Sequence, residues 1–172
     1  IKARDGVKVP VSLIYKKGIN LKDAPLLQYG YGSYGAVIEP SFKLSFMPLI
    51  EQGFIFAIAH IRGGQDLGRD WYDQGRMMNK MNTFFDFIDC SKELLKKEIG
   101  NKSKIFAMGG SAGGLLMGAI INLEPSLYKG IVSAVPFVDV LTTMSDESIP
   151  LTTFEYKAVS YTHLTLPTSN DV

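Results

Sequence analysis

Gly109-Gly110-Ser111-Ala112-Gly113 matches G-x-S-x-G and lies between a short apolar run, Lys104 to Met108, and a longer helical one, Leu115 to Leu123. Strand, sharp turn and helix in that order form the context of a nucleophile elbow. Residues without a Cβ let strand and helix approach closely while the turn holds the serine at strained backbone angles. Ser111 is then presented rather than buried. The plainer alternative is a glycine-rich helix start in an ordinary α/β protein.

Outward from the elbow, the spacing predicts a helix over Ala112 to Leu123 and a strand over Gly130 to Val135. Phe54-Ile55-Phe56-Ala57-Ile58-Ala59 is apolar without alternation, as expected of a strand covered on both faces at the centre of a parallel sheet. Leu26-Leu27-Gln28-Tyr29 reads as a further strand. Phe42 to Gln52 has helical spacing interrupted by Pro48 and closes at Gly53. Thr83 with Asp86 resembles a capping box opening a helix that carries Phe84, Phe87, Ile88, Leu95 and Ile99. Near the start, Val7, Val9, Val11, Leu13 and Tyr15 alternate with Lys8, Pro10, Ser12 and Ile14 after an Asp5-Gly6 turn, which reads as a strand. Only Ile1 to Arg4 remain for its hairpin partner, so we expect the chain to begin inside a longer protein. Strands alternating with helices make this α/β with a mainly parallel sheet.

The 172 residues fit one domain, with 46% hydrophobic and 20% charged residues. Eighteen basic and seventeen acidic side chains leave a net charge of +1, which gives no global field for nucleic acid or an anionic membrane. The single cysteine, Cys90, permits no internal disulfide; it fits a reducing, cytoplasmic compartment and reads as packing on a helix. No apolar run approaches the ~20 residues of a membrane-spanning helix.

Gly30-Tyr31-Gly32-Ser33-Tyr34-Gly35 matches the dinucleotide pattern G-x-G-x-x-G. That pattern requires a helix opening at the glycines, whereas Ala36 to Pro40 looks extended and stops at proline. Close backbone approach to a reaction centre is the better use. Acyl transfer needs donors aimed at the oxyanion, usually the N–H after the nucleophile and a donor from an earlier loop. Ala112 supplies the first; the Tyr31 hydroxyl or a backbone N–H such as that of Gly32 could supply the second. His60 precedes Ser111 and reads as structural, His163 lies in an anomalous tail, and Asp139 is an acid candidate by chain order alone. His60, Asp66, Asp70 and Asp73 have no diagnostic metal spacing. Arg62-Gly63-Gly64 puts a guanidinium at the carboxyl end of the sheet, where ligands of α/β proteins bind; a turn arginine tied to a carboxylate is the alternative.

Taken together, the elbow through Leu116, the Tyr29 to Gly35 loop, and Arg62-Gly63-Gly64 with Leu67-Gly68-Arg69 and Trp71 resemble the prolyl oligopeptidase family of serine peptidases. Val135-Pro136-Phe137-Val138-Asp139-Val140, Asp146 to Thr153, and Glu155 are similar to its oligopeptidase B branch, which cleaves short peptides after arginine or lysine. The resemblance covers about residues 1 to 157. It implies an α/β-hydrolase fold, here incomplete, with the C-terminal strands and the N-terminal β-propeller of such enzymes missing. Ser111 would be the acylated nucleophile, and Tyr31 with the Ala112 N–H the oxyanion hole. Glu155 falls at the acidic position facing the P1 side chain, Glu39 resembles one near P2, and Arg62 is the third substrate-binding candidate. A carboxylate pairing a guanidinium through two charge-assisted hydrogen bonds selects a basic substrate. No metal or organic cofactor is implied, and the expected partners are short basic peptides rather than nucleic acid or membrane.

The family continues past Glu155 with further acidic residues and a Trp-Gly-Asn-Pro stretch, then its catalytic aspartate and histidine. Here Lys157 leads into the Ser/Thr-rich segment from Ala158 to the end, in which we expect no native element. His163 is therefore not promoted to catalytic base, and the chain is expected to lack a complete triad. Rival readings are another α/β hydrolase, such as an esterase or a prolyl- or acyl-peptide hydrolase, and a catalytically inactive binding fragment.

Overall fold

In a computed structural model the described residues are 1–41 and 43–149; Glu155, His163 and the whole 158–172 segment lie outside them. Five strands form one sheet in the order β1-β3-β2-β4-β5: β1 (Val11–Ile14), β2 (Leu26–Tyr29), β3 (Ile55–Ala59), β4 (Ile105–Gly110) and β5 (Gly130–Ala134). β2, β3, β4 and β5 run parallel, and β1 alone is antiparallel, Val11 opposing Ala59 and Ile14 opposing Phe56. All five residues of β3 are buried, as an unbroken apolar strand with neighbours on both sides requires.

The helices are α1 (Met47–Glu51), α2 (Arg69–Asp73), α3 (Met81–Lys96), α4 (Ala112–Leu123) and α5 (Val140–Ser145). Phe84, Phe87 and Ile88 of α3 and Leu116, Met117 and Ile120 of α4 pack on one face of the sheet against Ala59 and Ala107. Ile50 of α1 and the partly buried Phe46 cover the other face over Leu27, Phe56 and Ile58, the Phe46 and Phe56 rings stacking at 4.1 Å. The polar Gln28 of β2 is tolerated at zero exposure because its amide donates to Phe87 O (2.8 Å) and accepts from Ser91 Oγ (2.8 Å). No helix among the described residues is long and apolar enough to cross a membrane.

Three local expectations need correction. Thr83 does not cap α3, which starts two residues earlier; its hydroxyl faces inward and donates to Arg62 O (2.7 Å) and Gly75 O (3.0 Å). The segment before Gly53 is a 3-10 turn, Leu44–Phe46, running into a single turn of α-helix with Pro48 in its first turn, where a missing N–H costs nothing. The N-terminal strand is short: Lys2 and Lys8 make one antiparallel bridge after the Asp5-Gly6 turn, and regular pairing begins at Val11.

Candidate active site

Ser111 stands exposed between the end of β4 and the first residue of α4, at φ 53 and ψ −118. A left-handed φ on a non-glycine residue persists only where its surroundings hold it. Both of its backbone groups are held: the N–H donates to Ala134 O of β5 (2.9 Å), and the carbonyl accepts from Gly114 N (2.8 Å) and Phe137 N (3.1 Å). The glycines permit the crossing. A Cβ on Gly109 would lie 2.4 Å from Gly113 O, and one on Gly114 would lie 2.4 Å from Pro136 Cα. Because Ala112 and Gly113 open α4, their N–H groups have no carbonyl one turn earlier within the helix to bind.

The loop after β2 reaches the elbow from the side. Gly30 donates to Met108 O (3.3 Å), and the Cβ position of Gly113 is 3.0 Å from Gly30 O and 3.4 Å from Tyr31 Cδ2. The partly buried Tyr31 ring thus lies beside the N-terminus of α4, tilted against Tyr34 at a 6.4 Å centroid separation. No helix follows the G-x-G-x-x-G glycines, since the next element is the 3-10 turn at Leu44. Ser111, Ala112 and Tyr31, singled out from sequence, therefore come together in space.

The other candidates stand elsewhere. His60, the one histidine among the described residues, is 8% exposed and held by Ser12 Oγ at Nε2 and Asp66 Oδ1 at Nδ1, both at 2.9 Å. This half-buried Ser-His-Asp chain sits where β3 meets β1, roughly two strand spacings, ~10 Å, from the elbow strand. Asp139 caps α5, accepting from Thr142 N (3.3 Å). Glu39 is exposed in the loop after Gly35. Cys90 is fully buried, and desolvation pushes its thiol far above the ordinary range, which suits packing.

Arg62 corrects the expectation that it offers its guanidinium to a ligand. It is 3% exposed, donates through Nε (2.8 Å) and Nη2 (2.6 Å) to Asp86 of α3, and pairs through Nη1 with Asp5 (2.7 Å). The hydrogen bonds it donates to Asp86 hold the guanidinium firmly charged, whereas burial pushes the Asp86 carboxyl upward against the pull of its partner. Every edge of the fork is taken, so Arg62 ties the N-terminal turn and α3 to the loop after β3. Lys80, just before α3, gives no sequence signal of its place: its Nζ is buried and donates to Gly32 O (2.5 Å) and Ser33 Oγ (2.8 Å) of the Tyr31 loop.

A family model described as the prolyl oligopeptidase family matches residues 40–163. Dipeptidyl aminopeptidase BI of Pseudoxanthomonas mexicana is 55% identical over 156 residues, covering 90% of this chain and 22% of the relative. Protease 2 of Moraxella lacunata is 52% identical over 154 residues, covering 89% and 22%. Among solved structures, oligopeptidase B from Trypanosoma brucei with covalently bound antipain superposes with a TM-score of 0.87 at 49% identity, covering 91% of this chain and 22% of that one. The chain thus spans about a fifth of the length of the relatives it matches, and its sheet, elbow and flanking helices are part of an α/β-hydrolase domain.

Proposed function

The chain belongs to the prolyl oligopeptidase family, and from that premise we propose that it forms part of a serine peptidase of the oligopeptidase B type, cleaving short peptides after arginine or lysine. The observation that carries this reading is the exposed Ser111 at φ 53, held from both sides of its backbone beside the Tyr31 loop. Ser111 Oγ attacks the scissile carbonyl as a histidine supplied from outside the described residues takes its proton. The Ala112 N–H and the Tyr31 hydroxyl stabilise the oxyanion. The C–N bond then breaks, the departing amine receives the proton, and water hydrolyses the acyl-serine ester by the same route. Glu155 binds the P1 guanidinium or ammonium and Glu39 contributes near P2. Trypanosoma brucei oligopeptidase B is known with covalently bound antipain, which supports a nucleophile in enzymes of this type.

His60 cannot serve Ser111 while both of its ring nitrogens hold Ser12 and Asp66, so the proton goes to a histidine other than His60. Hydrolysis of an N-blocked arginyl amide by the full-length protein tests the reading. Ser111→Ala should abolish it, and Glu155→Ala should lower the preference for arginine over an uncharged P1 residue by ~10²-fold or more, the scale of a lost polar partner to the substrate. An unchanged arginine preference in Glu155→Ala would sink the specificity assignment.

A further inference from the structure

Among the described residues, Lys80 is a buried amine without a buried counter-ion. It is 8% exposed, and burial pushes it down to about 7 with no neighbouring charge contributing. Its Nζ meets two acceptors, Gly32 O and Ser33 Oγ, and the Phe84 ring centroid lies 5.9 Å away. Two acceptors match the two N–H groups of a neutral amine, whereas an ammonium would bring a third donor. A lysine used only to fill this space would be inferior to methionine, because desolvating the amine costs free energy that packing does not return. The hydrogen bonds to the loop are what the amine adds.

Those two acceptors belong to the residues immediately after Tyr31. Gly32 is pinned on its other sides as well: at φ +67, its Cβ position would be 2.4 Å from Thr83 Cγ2, and its carbonyl lies 2.1 Å from the Cβ position of Gly63. Gly35 N donates to Gly63 O (3.0 Å), closing the loop onto the segment that Arg62 and Asp86 anchor. The first residues at and before α3 therefore hold both loops at the carboxyl end of the sheet.

We propose that Lys80 is a positioning residue for the reaction at Ser111: by fixing the Gly32 carbonyl and Ser33 hydroxyl, it sets the Tyr31 hydroxyl against the place where the oxyanion forms. This rests on the oxyanion role of Tyr31 given above. An oxyanion donor works only if it is already in place when charge develops, so loosening its loop weakens binding of the transition state more than of the substrate. Lys80 touches no reacting atom; its effect is carried entirely through Tyr31.

The test is a double-mutant cycle in the full-length protein with Lys80→Met, Tyr31→Phe and the pair together, on an arginyl amide. Affinity for a peptide aldehyde, which forms a tetrahedral adduct with the serine, is measured in parallel. Lys80→Met should lower kcat by ~10-fold or more with KM moved less than ~3-fold, and aldehyde affinity should fall in step with kcat. Added to Tyr31→Phe, it should cost little further. An unchanged kcat, or the same fold loss in the Tyr31→Phe background, overturns the positioning role while leaving the oxyanion role intact. If Tyr31→Phe alone moves neither kcat nor aldehyde affinity, the oxyanion role itself has failed, and the proposal falls with it. Should Lys80→Met not fold, Ser33→Ala removes one acceptor and keeps the lysine; the same kcat-against-KM split at smaller amplitude is expected, and an unchanged kcat is again contrary.

Discussion

Ser111 and Lys80 are each costly where they stand, and each is held by backbone groups far away in sequence: Ala134 and Phe137 for the serine, Gly32 for the lysine. Only the first was legible. Close approach of strand and helix leaves its mark as glycines at fixed spacing, so the elbow can be read from five residues. A lysine ahead of a helix reads as solvated, because the carbonyl that satisfies it is 48 residues away. The cost of burying Lys80 has a pH signature. Its pKa is 10.5 in an ordinary setting and about 7 here, so between those values the unfolded chain binds a proton that the folded chain does not. Stability should therefore rise with pH across that window, the full cost standing below pH 7 and vanishing above 10.5. Phe84, Gly32 and Ser33 are the groups facing the amine, and none of them titrates with it. Urea unfolding near pH 6.5 and 9.5 checks this: wild type should gain on Lys80→Met as pH rises, and a difference that stays flat would mean Lys80 does not titrate in that range.

At the scale of elements, long periodic segments were readable and short ones set by tertiary contacts were not. α4 begins and ends where its spacing predicts, and β3 follows from its unbroken apolar run. α2 has five residues with no side-chain cap, and α5 has six, capped by the aspartate that chain order suggested as a catalytic acid. Thr83 and Asp86 have capping-box chemistry, yet both side chains serve the loop after β3, because α3 starts earlier and buries them. That makes the Arg62–Asp86 pair an element-to-element joint. Arg62→Met would leave the Asp86 carboxylate buried at zero exposure without its fork of donors. The expected loss of stability is ~3–5 kcal/mol, the usual cost of removing one partner from a buried pair. Asp5, 40% exposed at its side chain, should matter far less: Asp5→Asn is expected within ~1 kcal/mol of wild type, as for other solvent-screened pairs. Unfolding midpoints of the two variants decide the matter, and similar losses would show that Arg62 does not depend chiefly on Asp86.

For the whole molecule, α/β class and parallel pairing followed from alternating strands and helices, but the order β1-β3-β2-β4-β5 did not. Which strand inserts between which depends on crossover connections that leave no local mark, and the antiparallel seat of β1 on β3 is a tertiary choice of the same kind. The order has a consequence at its far end. β5 pairs with β4 on one side only among the described residues, and its last three residues are exposed. Val132, Val135 and Val138 are 52%, 84% and 55% exposed, forming an apolar margin beside free strand edge. With no charged residue from Gly130 to Val138, this margin has, among the described residues, no lysine, bulge or covering helix of the kind with which sheets block edge-to-edge pairing. The 172-residue chain made alone is therefore expected to self-associate as concentration rises, through β5. Val132→Lys puts a charge on that edge without disturbing the buried face, and should shift the chain towards monomer in sedimentation measurements, with its circular dichroism unchanged. Tyr15→Lys, at the exposed end of the opposite edge strand, should not reproduce the effect; equal suppression by both would place the contact elsewhere than β5.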